Sequence, residues 1–350
     1  MKNLSILFFA FLISCSSGSE NTETNSASFD VTAITVTNTK NTVPVKGEEI
    51  IIKINLKNTS TQAGKAILSP KLSSSRFSDY NNVNLPTVEK QLEAGESAVV
   101  TLKLGPFFQD SFNGKHYALG RGEYFFEYVT INDDTKDTEF SGSIFKVEPS
   151  NALLIPVIYN TQYLTKINAN TGIKTYLTSA FTRKVELYSD ADGYTDYEGG
   201  FDEMMNVNHL FYPIQTTNVS DYPLDDGMCE KAIALGGDTL GLLQDWKGSE
   251  GTQPQNHGFD YLMVATSDSF GGVACGWINV QISGLFDFDL SINRAQIVMI
   301  HETSHLFGSP HCDPLQGYVM CSGEKHNKYI NQGIYVYHVD SRNKMSNKWD

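Results

Sequence analysis

The chain of 350 residues is acidic, with a formal net charge of −14 and a pI near 5.0. Hydrophobic residues make up 40% of it and charged residues 19%, which is typical of a globular chain long enough for two domains. The acidic charge argues against a nucleic-acid partner, because phosphate binding needs a concentrated basic surface. No apolar run reaches the roughly 20 residues that a helix needs to cross a bilayer.

Residues 1–15 are predicted to be a signal peptide, with Lys2 at its start and the apolar segment Leu4–Ile13 behind it. The tetrad Leu-Ile-Ser-Cys that ends at Cys15 resembles the lipobox of bacterial lipoproteins. This resemblance implies lipidation of Cys15 and a membrane anchor in the bacterial cell envelope, at the outer membrane or cell surface. An ordinary signal peptide that ends near a cysteine is the alternative. Residues 16–28, rich in Ser, Thr, Asn and Glu, are predicted to be a flexible tether.

Residues 29–148 show the period-two alternation of half-buried strands, separated by turn formers such as Asn113-Gly114. Several short strands in a segment of this length predict an all-β, immunoglobulin-like sandwich. Its one histidine, His116, is predicted to lie in a solvated loop. The clearest alternating segments are Ile50–Leu56, Ser97–Leu104 and Tyr124–Ile131.

Residues 151–350 mix both kinds of pattern and are predicted to form a second, α/β (α+β) domain. Apolar residues at helical spacing predict helices over two segments, Thr175–Tyr188 and Asp238–Trp246. Continuous apolar runs predict buried strands over three others, Leu153–Tyr159, Tyr261–Ala265 and Val273–Val280.

One segment of this second domain has the spacing of a metal site. It reads IHETSHLFGSPH from Ile300 to His311, and an apolar stretch leads into it as a buried helix would. On a helix, His301 and His305 share a face and can direct two imidazoles at one point. Gly308 can end the helix and reverse the chain, so that His311 supplies a third nitrogen.

Three neutral imidazoles leave a fourth position open, as in catalytic zinc sites. The spacing therefore predicts one zinc ion bound by His301, His305 and His311. Glu302, one position along the helix, is predicted to act as general base. A helix with incidental surface histidines is the alternative.

The pattern HExxHxxGxxH, here His301 to His311, resembles the signature of metzincin zinc peptidases. The resemblance implies a metalloendopeptidase that hydrolyses protein or peptide substrates, with Met320 in a tight turn beneath the zinc ligands. Between about Leu153 and Tyr335 the chain looks most like the adamalysins, or reprolysins. It departs from them where Cys312 intervenes between the third histidine and Asp313.

If Cys15 carries lipid, four cysteines remain, an even number that suggests disulfides in an exported protein. Three connectivities are possible, and four free thiols are the alternative. We expect one bridge between Cys312 and Cys321, which flank the loop after the last ligand. Cys229 and Cys275 would then pair.

Three further hypotheses remain. The acidic segment Ser189–Glu198 spaces carboxylates somewhat like a calcium loop, although a solvated acidic loop is the favoured interpretation. A different class of function is a surface adhesin or binding lipoprotein, in which the sandwich does the binding beside an inactive peptidase-like domain. A zinc hydrolase that acts on something other than protein is a third possibility.

Overall fold

The computed structural model describes residues 27–74, 77, 83–132, 134–136, 143–197, 199–216, 227–229, 232, 257–276, 278–286, 289–311, 319–320 and 334–349. Within these residues the protein is rich in β-structure, with several separate sheets and a smaller number of helices. None of the described helices is long and apolar enough to cross a membrane.

The described residues up to 150 form strands and connecting turns. Alternation along β2 shows why: its burial follows a period of two, with Ile50, Ile52, Ile54 and Leu56 all buried. One sheet has the strand order β1-β2-β6. A second has the order β10-β9-β3-β4, and in it β11 also pairs with β9 and β5 with β3. In a third, β7 pairs with β8. The strands are β1 (Phe29–Asn38), β2 (Ile50–Asn58), β3 (Gly64–Ser74), β4 (Val83–Asn84), β5 (Val88–Leu92), β6 (Ser97–Leu104), β7 (Phe107–Gln109), β8 (His116–Ala118), β9 (Gly122–Ile131), β10 (Asp134–Lys136) and β11 (Ile144–Val147).

The described residues from 151 onward mix strands and helices around a core of their own. One sheet has the order β15-β12-β16-β18-β17, in which only β17 is antiparallel to its neighbour. A smaller sheet has the order β14-β13-β19. The elements are β12 (Ala152–Tyr159), α1 (Thr161–Lys166), α2 (Ile173–Thr182), β13 (Val185–Ser189), β14 (Gly193–Tyr197), α3 (Phe201–Met205), β15 (Asn208–Gln215), β16 (Leu262–Ser269), β17 (Gly272–Cys275), β18 (Val280–Leu285), α4 (Ile292–Leu306), β19 (Tyr335–His338) and α5 (Val339–Asn343).

Two of the predicted elements are wrong in extent. The predicted helix Thr175–Tyr188 ends at Thr182, because the residues from Val185 pair with β14 and β19 as a strand. The predicted strand Val273–Val280 is a hairpin of β17 and β18, whose turn contains Asn279 in the left-handed conformation (φ 54°). The predicted helix Asp238–Trp246 lies outside the described residues.

The strands up to β11 and the residues from 151 onward share a buried contact surface. The ring of Phe107, in β7, stacks on Tyr212, in β15, with centroids 5.0 Å apart. Gly258 passes so close to β8 that a side chain there would meet the Ala118 carbonyl oxygen at 1.9 Å. Both contacts join the N-terminal strands to residues beyond 200.

A buried ion pair lies in the same contact surface. Lys46 Nζ, from the segment between β1 and β2, lies 2.8 Å from Asp260 Oδ1, and both side chains are at most 7% exposed. The second oxygen, Asp260 Oδ2, accepts the N–H of Leu154 at 2.7 Å, at the start of β12. The buried negative charge of Asp260 is therefore balanced by the positive charge of Lys46, from the N-terminal strands.

Removal of this lysine should destabilise the protein strongly. Lys46→Met leaves the Asp260 carboxylate buried without its cation, which costs about 3–5 kcal/mol of unfolding free energy. The matched control is Lys103→Met, because the pair of Lys103 with Glu49 is 66% and 40% exposed. That change should cost less than about 1 kcal/mol. Denaturant unfolding measures both, and a cost for Lys46→Met as small as that for Lys103→Met would contradict the account.

His257 also lies in the contact surface, and the predicted solvated position of His116 is wrong. His257 stacks on Tyr117, with centroids 4.5 Å apart, and its Nδ1 donates to the His116 carbonyl oxygen at 2.8 Å. His116 lies in β8, half-buried, with Nδ1 3.1 Å from the Tyr212 hydroxyl. Burial lowers the pKa of His257 to about 4.

The low pKa of His257 predicts a loss of stability in mild acid. An unfolded histidine titrates near pH 6.5, so the unfolded chain binds the proton first as the pH falls. Stability from His257 is thus present above pH 6.5 and declines by about 3 kcal/mol as the pH reaches 4. His257→Asn keeps a donor but does not titrate. The unfolding free energies of the parent and the variant, both metal-free, are measured between pH 7 and 4. Their difference should change by about 3 kcal/mol over this range. If the two free energies fall in parallel with pH, His257 does not have the low pKa.

Candidate metal centre

Helix α4 positions two of the three candidate ligands. It begins where the Ser291 hydroxyl oxygen accepts the N–H of Arg294 at 3.2 Å, which satisfies one of the free N–H groups of the first turn. The helix packs against β17 and β18. With 3.6 residues per turn, His301 and His305 project from one face of it.

The end of the helix positions the third candidate ligand, His311. Gly308 follows with φ +97°, a left-handed conformation that favours glycine. Its N–H donates to the His305 carbonyl at 2.9 Å, and the N–H of Ser309 donates to the Ser304 carbonyl at 3.0 Å. These two bonds make a Schellman motif, which reverses the chain and returns His311 to the helix.

The three imidazoles converge on one point. Their Nε2 atoms lie 3.0–3.2 Å from one another. A tetrahedral zinc ion with Zn–N bonds of about 2.0–2.1 Å holds its nitrogens about 3.3–3.4 Å apart, so the triangle matches within a few tenths of an ångström. Among the described residues, His301, His305 and His311 are the one group of metal-binding side chains this close together.

Hydrogen bonds determine which nitrogen of each helix histidine is free to bind. Nδ1 of His301 faces the Val319 carbonyl oxygen, and Nδ1 of His305 lies 2.7 Å from the Ser309 carbonyl oxygen. A carbonyl oxygen only accepts, so each Nδ1 carries the hydrogen and donates it. Each Nε2 then presents a lone pair, and lone pairs this close repel unless a cation lies between them. The donor set fits a divalent metal ion.

Exposure and charge suit a reactive site. His301 and His305 are half-buried and His311 is exposed, so one side of the triangle is accessible. Burial lowers the pKa of His305, which favours the neutral ring that binds metal.

Glu302 lies on the adjacent position of α4, 6% exposed. Burial raises its pKa to about 8. A cation at the three nitrogens would favour the ionised carboxylate and lower that pKa again.

Residues far away in sequence also support this centre, and apart from Met320 local spacing does not reveal them. Met320 is fully buried, and its neighbour Val319 both accepts from His301 and donates its N–H to the Val336 carbonyl at 2.9 Å. Because the Ser304 hydroxyl donates to a helix carbonyl, the Tyr337 hydroxyl 2.8 Å away donates to Ser304.

The C-terminal segment packs against the helix end. The N–H of Ser346 donates to the Phe307 carbonyl at 2.9 Å. The ring of Trp349 packs edge-on against Phe307, with centroids 4.9 Å apart, and contacts Tyr261. Aromatic residues near a chain end give no spacing signal that connects them to a helix this far away.

The structure pairs Cys229 with Cys275 in a disulfide, at the end of β17. Cys15, Cys312 and Cys321 lie outside the described residues. In the acidic segment Ser189–Glu198, Ser189 ends β13 and Gly193–Tyr197 form β14. None of its described residues belongs to a cluster of side chains that could hold a metal ion.

The remaining histidines have separate environments. His209 is buried beside Asp202 among aromatic rings, and the His338 side chain accepts the N–H of Asp340 at the start of α5. His326 lies outside the described residues.

No protein-family model and no curated protein matches the chain. Similar solved structures include β-glucosidases from Erythrobacter marinus (17% identity, TM-score 0.25), Kluyveromyces marxianus (25%, 0.25) and Streptomyces venezuelae (18%, 0.25). Each similarity covers 35% of this chain and 16%, 14% and 15% of those chains, respectively. The chain thus spans less than a fifth of each of them, and at these TM-scores the similarity carries no argument about function.

Proposed function

We propose that this protein is a zinc-dependent endopeptidase of the metzincin type, closest to the adamalysins. The observation that carries the proposal is the triangle of Nε2 atoms from His301, His305 and His311, with the carboxyl group of Glu302 on the next position of the same helix. Three nitrogens with an accessible side are typical of a catalytic zinc site, whereas structural sites use four protein ligands.

The residues divide the chemistry between them. A zinc ion, when bound, supplies the Lewis acidity that makes water nucleophilic near neutral pH and polarises a carbonyl. Glu302 accepts the proton of the attacking water and then passes it to the leaving amine. The carbonyl oxygens of Val319 and Ser309 hold the helix histidines in the tautomer whose Nε2 binds metal.

An extended peptide has a suitable surface beside the centre. Strand β17 pairs only with β18 among the described strands, so its other edge offers main-chain donors and acceptors. Addition of a substrate strand to this edge would bind peptides with little dependence on their sequence. Because β17 also packs against α4, such a peptide would pass close to the histidines.

The rest of the chain fits an exported, anchored enzyme. We propose lipidation at Cys15 and an immunoglobulin-like fold for residues 29–148, whose described strands form two main sheets over one core. The Cys229–Cys275 disulfide supports an oxidising location, since cytosolic thiols are kept reduced.

The proposal is tested with the purified protein and a peptide library read by mass spectrometry. We expect cleavage at internal peptide bonds, loss of cleavage with a chelator, and recovery on addition of zinc. Absence of any chelator-sensitive cleavage would contradict the proposal and favour the binding-protein alternative. Release of terminal residues alone would indicate an exopeptidase.

A further inference from the structure

Gly272, the first residue of β17, lies directly against the side chain of Glu302. A Cβ atom placed on Gly272 would lie 2.5 Å from Cγ, 2.6 Å from Oε1 and 2.9 Å from Cδ of Glu302. Cβ atoms in proteins essentially never approach other heavy atoms closer than 3.0 Å. The carboxylate side chain therefore fills the space that any side chain at residue 272 would need.

Backbone conformation does not require glycine here. Gly271, the preceding residue, has φ +82°, in the left-handed region, but Gly272 lies outside that region. An alanine at 272 would thus be acceptable to the backbone. Glycine is needed at 272 because a side chain there would clash with Glu302.

The strand cannot easily move away from the helix. The N–H of Gly271 donates to the Leu285 carbonyl at 3.0 Å, and the N–H of Gly284 donates back to the Gly271 carbonyl. The other end of β17 is held by the Cys229–Cys275 disulfide. Since both ends of this short strand are fixed, rotation of the Glu302 side chain is the easiest way to admit a Cβ atom.

We propose that Gly272 is a positioning residue, which holds the Glu302 carboxylate in the orientation used for proton transfer. This inference rests on the proposed role of Glu302 as general base. It predicts that Gly272→Ala changes the direction of the carboxylate and leaves the three histidines and the fold in place.

The expected result is a fall in kcat of about 10–100-fold with little change in KM, because a misplacement near 1 Å costs up to that factor. Zinc content and the unfolding midpoint should match the parent. Gly276→Ala is the matched control: Gly276 lies in the turn after β17, and a Cβ atom there would meet nothing within 4 Å. The Gly276→Ala variant should keep the parental kcat.

Two further measurements separate positioning from a general structural effect. In a Glu302→Ala background, Gly272→Ala should cause no additional loss, because the side chain that it displaces is already absent. A crystal structure of Gly272→Ala should show the Glu302 side chain in a changed rotamer. The inference is overturned by parental kcat in Gly272→Ala, by losses that add in the double variant, or by an unmoved Glu302. If the parent has no proteolytic activity, the proposed function fails, and the crystal structure still decides the placement of Glu302.

Discussion

Glu302→Gln should lower the rate of peptide cleavage by about 10²–10⁴-fold, the usual contribution of a general base. The amide keeps the size and polarity of the carboxyl group but cannot accept the proton of the attacking water. Because the residue is buried and its charge is disfavoured by burial, the neutral amide should not destabilise the fold. Zinc content should equal that of the parent, since the ligands are untouched.

The measurement is kcat/KM on one internally cleaved peptide, with zinc content determined on the same samples. Glu89→Gln is the matched control, because Glu89 is an exposed carboxylate of β5, 56% accessible. Near-parental cleavage by Glu302→Gln would show that another group accepts the proton, even if zinc is bound as proposed.

His305→Ala should lose metal and activity together. Structural zinc sites with four ligands have binding free energies of about 10–16 kcal/mol, or about 2.5–4 kcal/mol for each ligand. Loss of one of the three histidines should therefore weaken zinc binding by at least about 10²–10³-fold. Competition with a chelating dye measures the affinity.

His338→Asn provides the matched control for metal binding. His338 caps α5 through an accepted N–H, and asparagine is a favourable residue at such a position. Its zinc affinity should be parental. Full zinc occupancy in His305→Ala would mean that the metal lies elsewhere.

The core of the metal centre could be predicted because it is local in sequence. The spacing of His301 and His305 on a helix follows from 3.6 residues per turn, and Gly308 predicts the reversal before His311. Strand alternation in β2 was equally direct, since each buried isoleucine marks the same face. These features need no information from the rest of the chain.

Other features depend on contacts between distant segments. The sequence around Lys46 does not predict Asp260 as its partner. The sequence around Gly272 does not predict its contact with the side chain of Glu302. The segment from Val185 has helical spacing, yet it forms a strand because it pairs on one side with β14 and on the other with β19, which lies far along the chain. Tertiary pairing overrode local preference there.

The N-terminal half of the chain packs against the second domain. A buried lysine and a stacked His257–Tyr117 pair hold it to the second domain. Asp260, the partner of that lysine, immediately precedes Tyr261, which contacts the C-terminal Trp349 beneath the end of α4. The N-terminal half thus adjoins the packing that supports α4.

We propose above that three histidines form a zinc site with an open fourth position. Anomalous diffraction at the zinc edge, from crystals of the zinc-loaded protein, tests it most directly. We expect one strong peak about 2.0–2.1 Å from the Nε2 atoms of His301, His305 and His311, with no fourth protein ligand. The absence of a peak between these nitrogens, or a fourth protein side chain that closes the site, would contradict it.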